Sequence, residues 1–366
     1  MKCERGIKEM KKVIINNEFD VTLTEASVPV PKAGELLVKT ELSGISSGTE
    51  MMLYTGTYPN LKTKKYANWK QYPIYPGYEV VGKVVAIGEN IEIDTEGKKQ
   101  IEALGQTSEI IIGSEKEFKV GDRVFCLGEH AEYVCVPAVL AAKLPDSISS
   151  EEATLVALTT TAQHCTRRAS VQYGDIVAII GAGVLGYLCV QHAKNCGASR
   201  VITVDINDKR LAYAKAAGSD IIINPDKENP AVVIKEKCRI LADVVIDTSG
   251  SNGIVGLALN MLRERGRIVL LGWHTDSVIF PFEDFYFKEA TIIASAAIGP
   301  EPGLPYSYVR WGSDQGIRWS VELIEKGIIS GKHFKPNIFN CNQIKQVYDM
   351  IYKKDPKIGL QCILAW

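Results

Sequence analysis

The segment VAIIGAGVLG carries the clearest chemical signal in this 366-residue sequence. Its glycines form a G-x-G-x-x-G pattern directly after an apolar, strand-like run and before a helix-like run. Gly181 permits a tight turn, Gly183 lets the backbone approach a pyrophosphate, and Gly186 permits close helix–strand packing. Val184 and Leu185 stand between the last two glycines and complete the turn into the helix. The pattern predicts a dinucleotide site at a helix N-terminus.

The acidic residue after the next strand-like run predicts which dinucleotide binds. Asp205 ends the run RVITVD, at the point where a carboxylate accepts hydrogen bonds from the adenosine ribose and repels a 2′-phosphate. Arg210 follows shortly and either binds a phosphate or lies along the ribose. A helix cap is the alternative role for Asp205, although Asn207 or Asp208 can fill it. The sequence therefore predicts NAD(H) rather than NADP(H).

Two later turns, DTSG with Thr248 and LGWH with Gly272, follow apolar runs that read as parallel strands. Ligands of open parallel sheets bind at the carboxyl ends of the strands. We therefore expect Thr248 and Gly272 to flank the nicotinamide half of the cofactor. His274 is a candidate acid–base group there, with a structural or exposed role as the alternative.

The elements that position these candidates can be predicted from the sequence pattern, which differs between the two parts of the chain. From about residue 172, apolar strands alternate with glycine turns and amphipathic helices, which predicts a doubly wound parallel sheet covered on both faces. The earlier part is rich in short strands and turn signals. We expect an α/β fold with a Rossmann domain over 151–300 and a β-rich domain formed by 1–150 together with 301–366. Residues 89–122 read as a polar surface connection.

The composition limits the possible partners. The 42 basic and 43 acidic residues nearly cancel, so no electrostatic attraction to nucleic acid or to an anionic membrane is expected. Nine cysteines without paired spacing argue against a disulfide framework. The sequence shows neither a secretory leader nor a run of roughly 20 apolar residues. We expect a cytoplasmic protein that acts on a small molecule.

The order of motifs resembles the medium-chain dehydrogenase/reductase superfamily over nearly the whole chain. The matching segments are GISSGTE, PGYEVVGKVVAIG, VGDRV, HAEYVCVP, GAGVLG, VDIND and GRIVLLG. The resemblance implies that the β-rich domain is GroES-like and that Thr160 touches the nicotinamide ring. It also implies a homodimer or homotetramer formed through apolar strands in SVIFPF and ATIIASAAIG, within 277–299. The zinc-less subgroup that includes bacteriochlorophyllide dehydrogenases is the most similar one.

The resemblance breaks at the metal ligands. Where zinc-dependent members have a cysteine, a histidine and a later cysteine or glutamate, this sequence has Ser46, Tyr78 and a position near Val156. The interval that holds four cysteines in the family's structural zinc lobe contains none here. A replacement cluster of Cys126, His130 and Cys135 is the weaker alternative. We therefore expect no zinc.

Without zinc, other groups must handle the proton that accompanies hydride transfer. Tyr78 can donate through its phenol, Ser46 and Thr49 can orient the substrate oxygen or relay protons, and Glu79 or Glu50 can act as a base. Packing and structural hydrogen bonds are the alternative roles for each of these residues. The sequence predicts an NAD-dependent, zinc-independent dehydrogenase or ketone reductase acting on a polar secondary alcohol, such as a polyol, sugar or cyclitol. Two alternative functions are a reductase of activated C=C bonds and a nucleotide-binding protein without turnover.

Overall fold

A computed structural model of the chain describes residues 9–65, 69–88, 118–274, 278–302 and 311–366. The described residues form two compact units. The first unit comprises Met1–Ala157, Pro300–Glu325 and Lys335–Trp366, and the second comprises Leu158–Gly299 and Lys326–Phe334. Residues 89–117, which hold most of the predicted polar connection, lie outside the described part.

The strands, in chain order, are β1 (Glu9–Asn17), β2 (Asp20–Ser27), β3 (Glu35–Ile45), β4 (Val80–Ile87), β5 (Arg123–Cys126), β6 (Tyr133–Pro137), β7 (Ala141–Lys143), β8 (Ile176–Ile180), β9 (Arg200–Val204), β10 (Ile221–Ile223), β11 (Ala242–Asp247), β12 (Leu262–Leu270), β13 (Thr291–Ala294), β14 (Asn337–Asn340) and β15 (Cys362–Ala365). The helices are α1 (Thr49–Tyr54), α2 (Pro59–Thr63), α3 (Ser150–Ala153), α4 (Val156–Arg168), α5 (Val184–Asn195), α6 (Asp208–Ala216), α7 (Pro230–Cys238), α8 (Ile254–Met261), α9 (Phe282–Phe287), α10 (Ser313–Glu325) and α11 (Ile344–Tyr352). Short 3₁₀ turns cover Ala138–Leu140 and Cys341–Gln343.

The second unit is built on a parallel sheet with strand order β10-β9-β8-β11-β12-β13. All five residues of β8 are buried, as expected for a central strand covered on both faces. The strand order reverses at β8, where the chain turns from β9 and β10 to β11 on the other side. Such a switch point is where doubly wound sheets bind ligands at their carboxyl edge. The predicted Rossmann architecture is confirmed.

The first unit contains a sheet of order β14-β15-β3-β4-β5-β7, with β6 also paired to β3, and a separate β1-β2 hairpin. β3 and β4 pair in antiparallel fashion, and Ser43 lies opposite Val80. The end of β3 therefore lies beside the start of β4. This pairing brings Ser46 and Thr49, which follow β3, close to Tyr78 and the residue after it, which precede β4. The predicted GroES-like domain is confirmed as a fold.

The structure corrects the sequence analysis in three places. Residues 278–281 are irregular and α9 begins at Phe282, so the predicted strand SVIFPF is wrong; Pro281 precedes a helix whose first turn holds two acidic residues. The segment GIVGLALNMLRERG predicts one helix over its whole length, but α8 ends at Met261, because the buried Leu262 already pairs with Ala242 in the sheet.

The third correction concerns 326–334, which pack with the second unit instead of the first. The hydroxyl of Tyr187 donates to the carbonyl of Ser330 over 2.8 Å, and the amide of Ser330 donates to the side chain of Gln191 over 3.0 Å. These contacts tie the segment to α5. The other predicted domain boundaries stay a prediction. In the part of the chain that the structure describes, the helices are too short or too polar to span a bilayer.

Candidate functional site

Tyr78 is half-buried just before β4, and its phenol oxygen is hydrogen-bonded to the hydroxyls of Ser46 and Thr49. Burial, followed by the neighbouring carboxyl of Glu79, raises the pKa of the Tyr78 phenol well above its ordinary value of 10.0. The phenol is therefore protonated at neutral pH and can donate a hydrogen bond or a proton. The structure thus brings together three of the four predicted catalytic residues around one phenol oxygen.

Glu79, the fourth, is fully buried behind this group. Its side chain packs so closely on Gly44 that a Cβ placed there would lie 2.2 Å from Oε2 of Glu79. Among the described residues, neither carboxyl oxygen of Glu79 finds a hydrogen-bond partner. Burial, and then the charge of Glu50, raises the pKa of Glu79 well above 4.5. Glu79 is accordingly a buried, neutral carboxylic acid next to Tyr78.

Glu50 has the opposite environment, although it is just as buried. Its Oε1 accepts from the amide of Ser46 over 2.9 Å, and its Oε2 lies 3.0 Å from Nε2 of His130. The hydroxyl of Tyr348, on α11, donates to the same Oε2. Three donors converge on this side chain, which suits an ionised carboxylate that only accepts. Glu50 therefore holds the buried negative charge and anchors the backbone of Ser46.

The network continues from His130 to the last residue of the chain. The Nδ1 of His130 lies 2.8 Å from Oγ of Ser43, and the indole Nε1 of Trp366 donates to the same Oγ over 2.8 Å. Because Trp366 can only donate, the hydroxyl proton of Ser43 is free to point at Nδ1. His130 then carries its proton on Nε2 and donates to Glu50. The alternative metal cluster of Cys126, His130 and Cys135 is thus wrong, since Ser43 and Glu50 occupy both ring nitrogens.

The second group of predicted residues forms the turn between β8 and α5. Gly181 has φ of 97°, and its amide donates to the carbonyl of Val204 over 2.8 Å. A Cβ at Gly186 would lie 1.9 Å from the carbonyl oxygen of Gly181, whereas a Cβ at Gly183 would meet open space. Val184 and Leu185 are partly exposed at the start of the helix. Open space in front of the helix N-terminus fits a pyrophosphate, as the pattern predicts.

Asp205 follows β9 and reaches this turn. Its Oδ2 accepts from the amide of Ala182 over 2.7 Å and its Oδ1 from the amide of Asn207 over 2.8 Å. Asn207, not Asp205, caps α6 by accepting from the amide of Arg210. Each carboxylate oxygen retains a lone pair for a ribose hydroxyl. The side chain of Arg210 is exposed, and the backbone amide of Arg210 donates to the side chain of Asn207 over 3.1 Å.

The remaining predicted cofactor residues follow other strands of the same sheet. The hydroxyl of Thr248 donates to the carbonyls of Ile180 and Gly181, which ties the end of β11 to the glycine turn. The amide of Gly272 donates to the carbonyl of Asp247 over 2.9 Å. Asp247 also accepts from Nε2 of His274 over 3.1 Å, so His274 is held by a buried carboxylate. Thr160 is buried on α4 of the second unit.

Two segments of the chain match known protein families. Residues 32–146 match the alcohol dehydrogenase GroES-like domain, and residues 184–306 match the zinc-binding dehydrogenase family. The two matches together span the candidate proton site and most of the dinucleotide site. This chain belongs to the medium-chain dehydrogenase/reductase superfamily. The superfamily consists of oxidoreductases that resemble alcohol dehydrogenases.

Individual superfamily relatives are distant. The starvation-sensing protein RspB of Escherichia coli K12 is 29% identical over 296 residues, covering 78% of this chain and 83% of RspB. L-threonine 3-dehydrogenase of Francisella tularensis is 27% identical over 290 residues, covering 72% of this chain and 78% of that enzyme. The solved rspB alcohol dehydrogenase of Escherichia coli CFT073, complexed with NADH, has a TM-score of 0.77 at 22% identity, covering 98% of this chain and 100% of that one.

The name of one matched family implies zinc, which proteins bind through thiolate, imidazole or carboxylate groups. At the family's first two ligand positions this chain offers the hydroxyls of Ser46 and Tyr78, and the third position falls near the aliphatic side chain of Val156. Because the pKa of Tyr78 is raised, its phenol is a neutral group with little affinity for a metal ion. Within the described residues, no three His, Cys, Asp or Glu side chains are grouped to hold a metal. The residues at this position do not fit zinc.

Several residues of this superfamily member were missed by the sequence analysis. Tyr348 is 298 positions from Glu50, so no local pattern links them. His130 was considered only as a metal ligand. Asp247 organises the turn after β11 by accepting from the amide and hydroxyl of Ser249. Its place as the first residue of the turn DTSG was an available signal.

Proposed function

We propose that this chain is an NAD-dependent, zinc-independent oxidoreductase that transfers a hydride between nicotinamide and a secondary alcohol or ketone of a polar small molecule. The observation that carries the proposal is the protonated phenol of Tyr78, held by Ser46 and Thr49 where zinc-dependent relatives place a ligand. The bound cofactor would supply or accept the hydride. The protein must then supply the proton, and Tyr78 is the group suited to it.

In the direction of carbonyl reduction, the substrate oxygen gains negative charge and needs a donor. Tyr78 donates its phenolic proton to that oxygen. Ser46 and Thr49 then donate hydrogen bonds to the phenolate that remains, which limits the rise in its pKa. Glu50 fixes the amide of Ser46 and so holds this pair of hydroxyls in place. In alcohol oxidation the same proton returns to Tyr78.

The charges of the buried carboxyls Glu50 and Glu79 also bear on whether the site needs a metal ion. Zinc-dependent members hold a divalent cation at this place, whereas here two carboxyls are buried behind a neutral phenol. Glu50 has three donors and carries the negative charge, and the raised pKa of Glu79 keeps that carboxyl protonated. The site therefore needs no metal charge to balance two carboxylates. This is the support for zinc independence.

The choice of NAD(H) rests on Asp205, whose carboxylate lies beside the glycine turn and would repel a 2′-phosphate. The Escherichia coli rspB structure, which shares this fold, was solved with NADH. We propose that Gly181, Gly183, Val184, Leu185 and Gly186 bind the pyrophosphate. We also propose that Thr248, Gly272 and Thr160 lie along the nicotinamide half. The predicted cytoplasmic location stays part of the same proposal.

The proposal is tested by following NADH oxidation with a panel of ketones, ketoses and oxidised cyclitols. Turnover by the wild-type chain is expected, and Tyr78→Phe should lower kcat by about 10²–10⁴ with NADH affinity unchanged. Tyr75→Phe is the matched control, because Tyr75 is exposed and its ring lies under Lys12 at 3.4 Å, a contact that phenylalanine keeps. Equal rates for Tyr78→Phe and wild type would refute the role of the phenol.

We further propose that the chain forms a homodimer, or a homotetramer built from such dimers, through the β13 edge of the second unit. β13 is the end strand of the described sheet. Next to it in sequence, α9 exposes Phe282, Tyr286 and Phe287 to 63%, 63% and 73%. An open strand edge beside exposed aromatic side chains is typical of an interface.

Sedimentation velocity at micromolar concentration checks this assembly. Phe287→Asp is expected to shift the population towards monomer, because it places a charge in the aromatic surface. Tyr173→Asp changes an equally exposed aromatic residue outside that surface, at 93% exposure, and should leave the assembly unchanged. A wild-type chain that sediments only as a monomer would refute the proposal.

A further inference from the structure

His130 contacts both segments that carry the proton site of the first unit, and it is fully buried there. A Cβ placed on Gly77, the residue before Tyr78, would lie 2.7 Å from the amide nitrogen of His130 and 2.9 Å from Cγ of its ring. The Nε2 of the ring lies 3.0 Å from Oε2 of Glu50, and Oε1 of Glu50 accepts from the amide of Ser46. His130 therefore connects the segment of Tyr78 with the segment of Ser46.

The loop that begins at Ser46 is closed by Glu50. The amide of Glu50 donates to the carbonyl of Ser46 over 3.1 Å, and the carboxylate of Glu50 accepts from the amide of Ser46 over 2.9 Å. Thr49, whose hydroxyl is also bonded to the phenol of Tyr78, lies inside this loop. The positions of both hydroxyls that hold the phenol thus depend on where the Glu50 carboxylate is held.

The indole of Trp366 determines which nitrogen of His130 carries a proton. The indole can only donate, and it donates to Oγ of Ser43, so the hydroxyl proton of Ser43 is left for Nδ1 of His130. Nε2 then carries the ring proton and donates to Glu50. In the other tautomer, Nε2 would turn a lone pair towards the carboxylate at 3.0 Å. A doubly protonated ring would deprive the fully buried hydroxyl of Ser43 of the acceptor for its proton.

The position of Trp366 is set by the sheet of the first unit. β15 pairs with β3 so that Leu364 lies opposite Ser43, and the amide of Trp366 donates to the carbonyl of Glu41 over 3.2 Å. This register brings the indole to Ser43, from which it is 323 positions away in sequence. The donor that fixes the tautomer of His130 is therefore held by backbone pairing.

We propose that His130 is a positioning residue for proton transfer from Tyr78 and that Trp366 fixes the tautomer this role requires. The Nε2–H group holds the Glu50 carboxylate, and the carboxylate holds the loop whose hydroxyls orient the phenol. His130 acts through Glu50 and exchanges no proton with the substrate. This inference deepens the proposed function and rests on its proton donor.

Two amide substitutions of His130 separate this role from packing. Glutamine places its amide nitrogen where Nε2 lies and can still donate to Glu50, whereas asparagine reaches only the position of Nδ1. We expect kcat for ketone-dependent NADH oxidation to stay within about threefold of wild type in His130→Gln. In His130→Asn it should fall about 10- to 100-fold, the loss that a displaced reacting group produces. The affinity for NADH, measured by fluorescence titration, should be unchanged in both, because the glycine turn belongs to the second unit.

The tautomer can be observed by NMR of protein labelled with ¹⁵N-histidine. The chain has five histidines, and the signals that disappear in His130→Gln identify those of His130. In the wild type we expect a neutral ring protonated on Nε2. In Trp366→Phe the hydroxyl of Ser43 can also accept, so we expect a second form of the ring and a kcat about three- to tenfold lower. Trp319→Phe is the matched control, because Trp319 is 39% exposed on α10 of the same unit; it should change neither the ring signals nor kcat.

Trp366→Phe leaves the buried pair of His130 and Glu50 intact, so it tests the inference even if the His130 variants do not fold. Equal kcat values for folded His130→Gln and His130→Asn would overturn the role of His130. A wild-type ring protonated on Nδ1, or wild-type ring signals or kcat in Trp366→Phe, would overturn the role of Trp366. A wild-type chain without ketone-dependent NADH oxidation would overturn the proposed function and this inference with it.

Discussion

Glu79→Gln tests the protonation of the buried carboxyl behind Tyr78. Glutamine has the shape of a protonated glutamate and does not titrate. Because burial and Glu50 raise the pKa of Glu79 in the folded state above 4.5, the folded protein binds more protons than the unfolded chain above that pH. Its contribution to stability is therefore fully present below about pH 4.5 and is lost as the pH rises towards the folded pKa.

The magnitude follows from linkage. The free energy of unfolding of the wild type should fall relative to that of Glu79→Gln by up to about 1.4 kcal/mol per pH unit above the ordinary pKa. Urea unfolding followed by tryptophan fluorescence between about pH 5 and pH 8 measures it. Trp69, Trp311, Trp319 and Trp366 lie in the first unit and report its unfolding.

Glu50→Gln is the control, because it alters a carboxyl of equal burial but different surroundings. An amide there places donor hydrogens against the amide of Ser46 or the donors from His130 and Tyr348. We expect a loss of about 3–5 kcal/mol at neutral pH. Parallel stability curves for wild type and Glu79→Gln across the pH range would show that Glu79 is ionised in the folded state and would refute this reasoning.

Four further predictions concern the two sites. Gly183→Ala should change the free energy of unfolding by less than about 0.5 kcal/mol yet weaken NADH binding at least about tenfold, because its methyl group enters open space that the pyrophosphate needs. Gly186→Ala should lower both stability and NADH affinity, since its Cβ would meet the carbonyl of Gly181 at 1.9 Å. Asp205→Ala should raise the affinity for NADPH relative to NADH at least about tenfold in paired fluorescence titrations; an unchanged ratio would count against Asp205. His130→Ala should lower the unfolding free energy by about 1–3 kcal/mol for each buried partner it leaves unpaired, as seen in urea unfolding.

The sequence predicted those features of the fold that depend on residues close together in the chain. The turn of Gly181, Gly183 and Gly186 was found because the spacing of its glycines and the runs that flank it lie within a few residues of one another. The strand assigned to SVIFPF was wrong because apolar content alone does not distinguish a strand from a short exposed helix.

The proton site was predicted only in part. Ser46, Thr49, Tyr78 and Glu79 were placed through their positions in a resembling family, and the structure brings them together. The buried carboxylate network depends on segments far apart in the chain, since His130 is 80 positions and Tyr348 is 298 positions from Glu50.

Turnover without zinc can be measured in a purified preparation whose zinc content is known. Ketone-dependent NADH oxidation would be followed in that preparation before and after treatment with a strong zinc chelator. We expect far less than one zinc per chain and a rate that the chelator leaves unchanged, with Tyr78→Phe slower than wild type by about 10²–10⁴ in both cases. Loss of activity with the chelator and its recovery on adding zinc would refute zinc independence.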